Sequence, residues 1–242
     1  MSIERHHLTV GGLPVEIVRK GIKNLHLGVY PPDGRIRVAA PLRVSNEAVR
    51  LAVIGKLGWI KRQRARFTAQ PRETRRQMVE GETHYFLGRR YRLRTIEHDA
   101  APKVFLRPNA RLVIYARPAL SAEQRERVLQ QWYREQFKAI IPPLVKEWQE
   151  RLGVELGEWG IKRMKTRWGS CSVKARRVWL NLELVKKPRE CIEYILAHEL
   201  IHLLEPTHND RFIALMNRAL PKWQFHRQTL NSLPVRHETW AY

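Results

Sequence analysis

His198-Glu199-Leu200-Ile201-His202, running on through Leu203-Leu204-Glu205-Pro206-Thr207 to His208, is the stretch on which the reading of this 242-residue chain turns. Ile192 to Leu204 is apolar almost all round, so the sequence predicts a buried helix. Pro188 opens it at a position where proline is tolerated, because that N–H has no helical partner. An unpaired carboxylate inside such a helix costs on the order of several kcal/mol, so His198, Glu199 and His202 need partners. Histidines four apart stand one turn above each other on one helix face. Two imidazoles so placed reach a single ion, at about 2.0–2.1 Å for zinc. Glu199 points to a neighbouring part of the surface, off the metal and within reach of a water. This is the arrangement that H-E-x-x-H places on a helix.

Two histidines leave a catalytic zinc short, since it takes three protein ligands and keeps one open position. His208 lies six residues beyond His202, with Pro206 between them to end the helix and turn the chain back. Glu205 and Asp210 are the alternatives for the third place. A lone histidine on an apolar helix is commonly a satisfied core residue. Three histidines with a glutamate instead imply a metal in a polar cleft. Metzincins share the spacing, but they carry glycine where Glu205 stands and follow with a Met-turn that this sequence does not show.

Outward from this stretch, a helix is predicted from about Asp210 to Leu220, stopped by Pro221. Upstream, Val178–Leu184 reads as a strand within a run of short elements from Val154 to Lys187. Ser121 with Gln124 forms a capping-box pattern. It opens a helix whose stripe, Val128, Leu129, Trp132, Tyr133, Phe137 and Ile140, is core. Pro142-Pro143 predicts a kink or restart before the helix resumes through Leu144, Val145, Trp148 and Leu152 and stops near Gly153. The first part of the chain is β-like: Pro14–Lys20, Asn24–Tyr30, a turn at Pro32-Asp33-Gly34, and Arg35–Ala39. One helix is expected from Glu47, capped by Ser45, with Val49, Val53, Leu57 and Ile60 on its apolar face. An exposed charged loop follows over 70–80. Tyr85–Ile96 then reads as strand with a turn at Gly88, and Val104–Leu106 and Leu112–Tyr115 as a hairpin. The fold class is α+β. A β-rich N-terminal region with one helix is expected over 1–117, and a helical metal-binding domain over 118–242.

Lys and Arg total 45 against 23 Asp and Glu, a formal charge of +22, which attracts polyanions such as nucleic acid or nucleotides. The clusters Lys61–Arg66, Arg72–Arg76, Arg89–Arg94 and Lys162–Arg167 are where such a partner would sit. A solvated Arg-rich surface is the plainer explanation, and at Lys61–Arg66 a helix C-terminus favours positive charge in any case. Cys171 and Cys191 are the two cysteines and form no CxxC pair, so a sulfur-rich zinc site is not expected. No apolar run of membrane-spanning length occurs, and the first twenty residues lack an apolar signal core. The expectation is a cytoplasmic protein without a membrane partner.

Four segments, the histidine stretch among them, carry a resemblance. Arg167-Trp168-Gly169-Ser170-Cys171-Ser172, Leu180-Asn181-Leu182, and Tyr194 to Leu203 with Thr207-His208 resemble the YgjP-like metallopeptidase family. Tyr85-Phe86-Leu87-Gly88-Arg89-Arg90-Tyr91 resembles its N-terminal part. The resemblance implies a small zincin-like catalytic domain after a β-rich region. It implies zinc at His198, His202 and His208, Glu199 as catalytic base, and a peptide or protein substrate. The family often reads H-S-x-x-F-W after the third ligand, whereas this chain reads His208-Asn209-Asp210-Arg211-Phe212-Ile213. In zincins an edge strand beside the active-site helix binds extended peptide, which makes Trp168 and Ser170 candidate substrate-binding residues. A tight turn with Trp168 in the core is the alternative. Asn181 could orient a ligand histidine or serve only as a strand end. Arg211, His226 and Tyr194 are candidates to stabilise an oxyanion. Two other functions remain open: hydrolysis of nucleotide pyrophosphate or phosphate by the same metal, and a nucleic-acid-associated protein acting on bound partners.

Overall fold

Alternating apolar residues in the first forty positions build a four-stranded sheet. The computed structural model describes residues 5–30, 33–69, 76–164 and 167–234. Pro32, positions 70–75 of the predicted loop and of the Arg72–Arg76 cluster, and positions 165–166 of the Lys162–Arg167 cluster lie outside these. β1 (Arg5–Val10) turns at Gly11-Gly12, both at positive φ, into β2 (Leu13–Lys20). β2 runs parallel to β4 (Arg35–Pro41), which pairs antiparallel with β3 (His26–Tyr30), giving the order β1-β2-β4-β3. Val15, Ile17, Ile36 and Val38 form one core with Val49, Val53 and Ile60.

Those last three sit on two helices where the sequence predicts one. α1 (Asn46–Ile54) is capped by Ser45, which accepts from the Ala48 N–H, and ends at Gly55. α2 (Leu57–Ala69) starts again two residues on. Glycine is a poor helix interior residue, and its break leaves the apolar spacing intact.

The second sheet has the order β5-β6-β8-β7. β5 (Thr83–Phe86) and β6 (Arg89–Glu97) are joined through Leu87-Gly88, and β7 (Lys103–Arg107) and β8 (Arg111–Ala116) form the expected hairpin. α3 (Ala122–Leu152) follows, with the capping box of Ser121 and Gln124 formed and Gly153 left-handed at its end. The helix does not restart at Pro142-Pro143 but runs unbroken from Ala122 to Leu152. The prolines deprive only the carbonyls of Lys138 and Ala139 of helical donors, and both residues are exposed to water. Meanwhile Phe137, Ile141, Leu144 and Trp148 on either side bury into one core, and tertiary packing of this kind outweighs a local break.

A third sheet has the order β10-β11-β9, from β9 (Glu158–Lys162), β10 (Gly169–Ser172) and β11 (Arg177–Asn181). The strand expected to reach Leu184 stops at Asn181. A 3₁₀ turn, Leu182–Lys186, takes over there, with the Asn181 side chain accepting from Glu183 N–H. The predicted buried helix is α4 (Arg189–Ile201), the next is α5 (Asp210–Ala219), and α6 (Trp223–Ser232), which the sequence reading did not anticipate, follows Pro221.

The architecture is α+β, as the sequence predicts. It divides into two compact units, Met1–Glu73 with Pro234–Tyr242, and Thr74–Leu233. The sequence reading draws its boundary at 117/118. The structure keeps the second sheet with the helices because Leu93, Leu112 and Ile114 share one core with Tyr133, Phe137, Leu196 and Leu200. Among the described residues no helix is long and apolar enough to cross a membrane.

Candidate metal centre

α4 is buried on nearly every side: Ile192, Leu196, Ala197, Leu200 and Ile201 are all sealed in the core. That fixes the rotation of the helix and presents His198 and His202 on one face. The helix ends at His202, whose ring is locked by a hydrogen bond from Nδ1 to the Glu205 carbonyl, 3.1 Å long. This bond settles the tautomer and leaves Nε2 for other work. The chain then turns through Pro206, and Glu205 Oε1 accepts from both the amide and the hydroxyl of Thr207. These bonds hold the Glu205 carboxyl below the usual carboxylate range. His208 follows, and Asn209 caps α5 by accepting from Phe212 N–H. Asparagine stands where the family often has serine. Both are good N-caps, so the departure preserves the turn that delivers His208.

The outcome is a cluster in which His198, His202 and His208 each offer a ring nitrogen, all within 4.8 Å of one another. Nε2 of His198 and Nε2 of His208 are 3.0 Å apart. A tetrahedral zinc with nitrogens at 2.0–2.1 Å separates them by about 3.3–3.4 Å, so the donor set fits such an ion with small movements. Nδ1 of His198 is buried with no hydrogen-bond partner among the described residues. Phe212 lies beneath all three rings, with centroids 5.0, 4.8 and 4.8 Å away. Burial, then the neighbouring His202 and His208, push the His198 imidazole down to about 3, and burial lowers His202 also. Both rings are thereby kept neutral, the form that binds a metal. Glu205 and Asp210, the alternative third ligands, are absent from the cluster, and Glu205 is occupied by Thr207 and, at 3.9 Å, Arg211.

Glu199, adjacent to His198, is 6% exposed. Burial pushes its carboxyl up to about 7, with the positive charge of Arg167 pulling the other way. It rests against β10. A Cβ placed on Gly169 would lie 2.7 Å from both Cγ and Oε1 of Glu199. Cys171, two residues on, shares that face of the strand, and its thiol is raised to about 11 by burial and by the charge of Glu199.

The candidate substrate residues are placed differently from one another. Ser170 points away from Glu199, because alternate strand residues face opposite sides and Gly169 and Cys171 take the near side. The sequence reading chose Ser170 and missed its two neighbours. Only the alternation of a recognised strand could have found them. Trp168 packs half-buried at the edge of the main core, with Lys187 Nζ 5.6 Å from its ring. Arg211 is largely exposed on α5. Asn181 bonds to backbone and not to any of the three histidines. Its side chain donates to the carbonyls of Met164 and Arg167, and its amide donates to Trp168, clamping the segment that leads into β10. Tyr194 lies edge-on to His198 at 6.0 Å and stacks on Trp223 at 6.3 Å. His226 accepts at its backbone carbonyl from Cys191 Sγ, 3.8 Å away.

No curated protein matches the chain. Among solved structures it is similar to the metallopeptidase zymogen of Pyrococcus abyssi abylysin, with 22% identity, a TM-score of 0.35, and coverage of 36% of this chain and 89% of that one. It is similar also to the metallopeptidase zymogen of Methanocaldococcus jannaschii jannalysin, with 26% identity, a TM-score of 0.34, and coverage of 37% and 92%. The family comparison spans far more of the sequence: the metallopeptidase domain of the YgjP-like family matches residues 23–233, from β3 through the histidine cluster to the end of α6. With that extent of match, this chain belongs to the YgjP-like metallopeptidase family.

Proposed function

We propose that the chain hydrolyses peptide bonds with a zinc ion held by His198, His202 and His208 and with Glu199 as general base. The observation that supports this reading is the convergence of three ring nitrogens within 4.8 Å beside a buried carboxylate. A zinc ion supplies Lewis acidity there, polarising a carbonyl and lowering the pKa of a water toward about 7. Glu199 takes the proton of the attacking water and delivers it to the departing nitrogen. In the metal-free protein burial raises this carboxyl to about 7, and a zinc ion beside it would draw it back toward the ionised form that accepts a proton. β10 is the outer strand of its sheet among the described residues. An extended peptide can add to it by backbone pairing and so present a scissile bond beside Glu199. Arg211, exposed and close to the His208 loop, is the side chain we assign to contact with substrate. Trp168 and Ser170 flank Gly169 and serve the strand that receives the peptide.

The test is peptide cleavage by the chain as purified, after chelation, and after zinc is restored, beside Glu199→Gln. Cleavage lost on chelation, regained with zinc and absent in Glu199→Gln is expected. Full cleavage by Glu199→Gln would refute the mechanism.

A second reading rests on charge. α2 carries Lys61, Arg62, Arg64 and Arg66 and no acidic residue, within a chain of +22. A polyphosphate substrate or a nucleic-acid-bound one would be drawn to such a surface. Release of phosphate or pyrophosphate from nucleotides, measured beside the peptidase assay, distinguishes the two chemistries. Nucleic-acid binding that weakens steeply with salt would mark a polyanionic partner.

A further inference from the structure

Gly169 is buried within β10, opposite Leu180 of β11. Its φ lies outside the left-handed region in which glycines such as Gly88 and Gly153 are found, so the backbone there does not require glycine. Glycine inside a strand is a cost: it has more freedom to lose on folding and nothing to pack. What it provides is room. A Cβ at Gly169 would meet Glu199 and nothing nearer, at 2.7 Å from Cγ, 2.7 Å from Oε1 and 3.0 Å from Cδ. Those separations are well inside van der Waals contact. Gly160 and Gly28, the other glycines of paired strands with so close a neighbour, make room for the aromatic rings of Trp179 and Tyr30. Gly169 makes room for a carboxylate that follows a metal-ligand candidate directly in sequence.

The segment that carries Gly169 is held firmly. Asn181 bonds the backbone of Met164, Arg167 and Trp168, and four residues of β10 pair with β11. On the other side, α4 is sealed by its apolar residues and does not rotate freely. Between two fixed backbones the flexible part is the Glu199 side chain. A methyl group at position 169 is therefore relieved by turning the carboxylate out of its seat, while strand, helix and histidines remain.

We propose that Gly169 is a positioning residue for Glu199: its bare Cα is the wall against which the carboxylate is seated, and strand β10 thereby sets where the base stands. The proposal rests on the reading of Glu199 as the base, and its test separates the two.

The thermal part of the test needs no substrate. Gly169→Ala, Glu199→Ala and the double variant are compared with wild type by melting temperature and by zinc content. With Glu199 present, Gly169→Ala lowers Tm by roughly 2–4 °C. In the Glu199→Ala background the same change leaves Tm unchanged or raises it, because the strand gains a side chain with nothing to strike. The double variant also answers for a Gly169→Ala protein too unstable to purify. Zinc content stays near one per chain throughout. On a cleaved peptide, Gly169→Ala lowers kcat at least about 100-fold while KM moves less than about 3-fold. Equal Tm changes in both backgrounds, or an unchanged kcat in Gly169→Ala, would overturn the proposal. If Glu199→Gln cleaved at full rate, the base assignment would fall, and the Tm comparison would still decide whether Gly169 seats the carboxylate.

Discussion

His202 and Glu205 are joined by the imidazole Nδ1 of one and the backbone carbonyl of the other, 3.1 Å apart. The bond closes α4 and points the remaining ring nitrogen at His198 and His208. Its acceptor is itself fixed by the loop, through Thr207 on the Glu205 carboxylate and Asn209 on the Thr207 hydroxyl. Thr207→Val removes the middle member of this chain while keeping its shape. Zinc affinity should fall about 3-fold, less than the roughly 10-fold typical of losing a direct partner of a ligand, because the His202 bond to the Glu205 carbonyl remains. The Tm of the metal-free protein should barely move. Competition against a chelator of known affinity measures the first and thermal unfolding the second.

Phe212 underlies all three rings and is 3% exposed. Phe212→Ala leaves a cavity beneath the cluster and should cost about 3–5 kcal/mol of stability. Its zinc affinity should drop more than that of Thr207→Val, since every ring loses its floor. Chemical denaturation of the metal-free variant, with the same chelator competition, checks both outcomes.

Acid should release the metal unusually late. A free imidazole titrates near 6.5, whereas His198 is pushed down to about 3 and His202 is also lowered. His198 stays neutral as pH falls through 6.5, and His202 takes up a proton less readily than a free imidazole, so protons compete with the metal less well than at three ordinary histidines. Between pH 6.5 and 5 the binding constant should fall less steeply than the roughly three decades per pH unit that three ordinary histidines approach. Zinc titrations at several pH values give this slope directly.

Glu199 makes the opposite contribution to the metal-free protein. Its folded carboxyl is raised from 4.5 to about 7 by burial, so the folded state holds the proton more tightly than the unfolded chain. The stability this confers is complete below about pH 4.5 and is lost as pH rises through 7. Metal-free Glu199→Gln should therefore match wild type near pH 4 and exceed it above pH 7, by roughly 3 kcal/mol at most. A Tm series of both proteins across that range reveals the divergence, and parallel curves would contradict it.

The residues that sequence reading found at this site are those whose chemistry repeats with the helix. His198, Glu199 and His202 stand out because polar groups interrupt an apolar helix, and His208 because Pro206 implies a return. Gly169, Cys171 and Phe212 escaped for a different reason. Their roles arise from contact across the fold, and nothing in the spacing of a four-residue strand reveals which face meets α4. Ser170 was favoured over Gly169 because a hydroxyl suggests chemistry and a missing side chain does not. The same holds for the fold. The long amphipathic stripe of α3 survived its two prolines because burial on both sides outvotes a local signal. Gly55 split the α1–α2 stripe, as a spacing argument alone cannot foresee. α6 went unread because its inward anchors, Trp223 and Leu230, are too few to make a stripe.

The turn between β5 and β6 has a practical bearing on how this protein can be divided. Leu87 and Gly88 donate their amides to the carbonyls of Val185 and Lys186, and Gly88 sits so close to Pro188 that a Cβ would come within 2.9 Å of its ring. Tyr133 adds a hydroxyl bond to the Tyr85 carbonyl. The opening of α4, ten residues before its first histidine, is thus docked onto a loop from far upstream. A fragment cut to begin at the long helix would keep His198, His202 and His208 and discard the bracket that orients α4. An expression boundary placed ahead of β5, near Thr74, retains it.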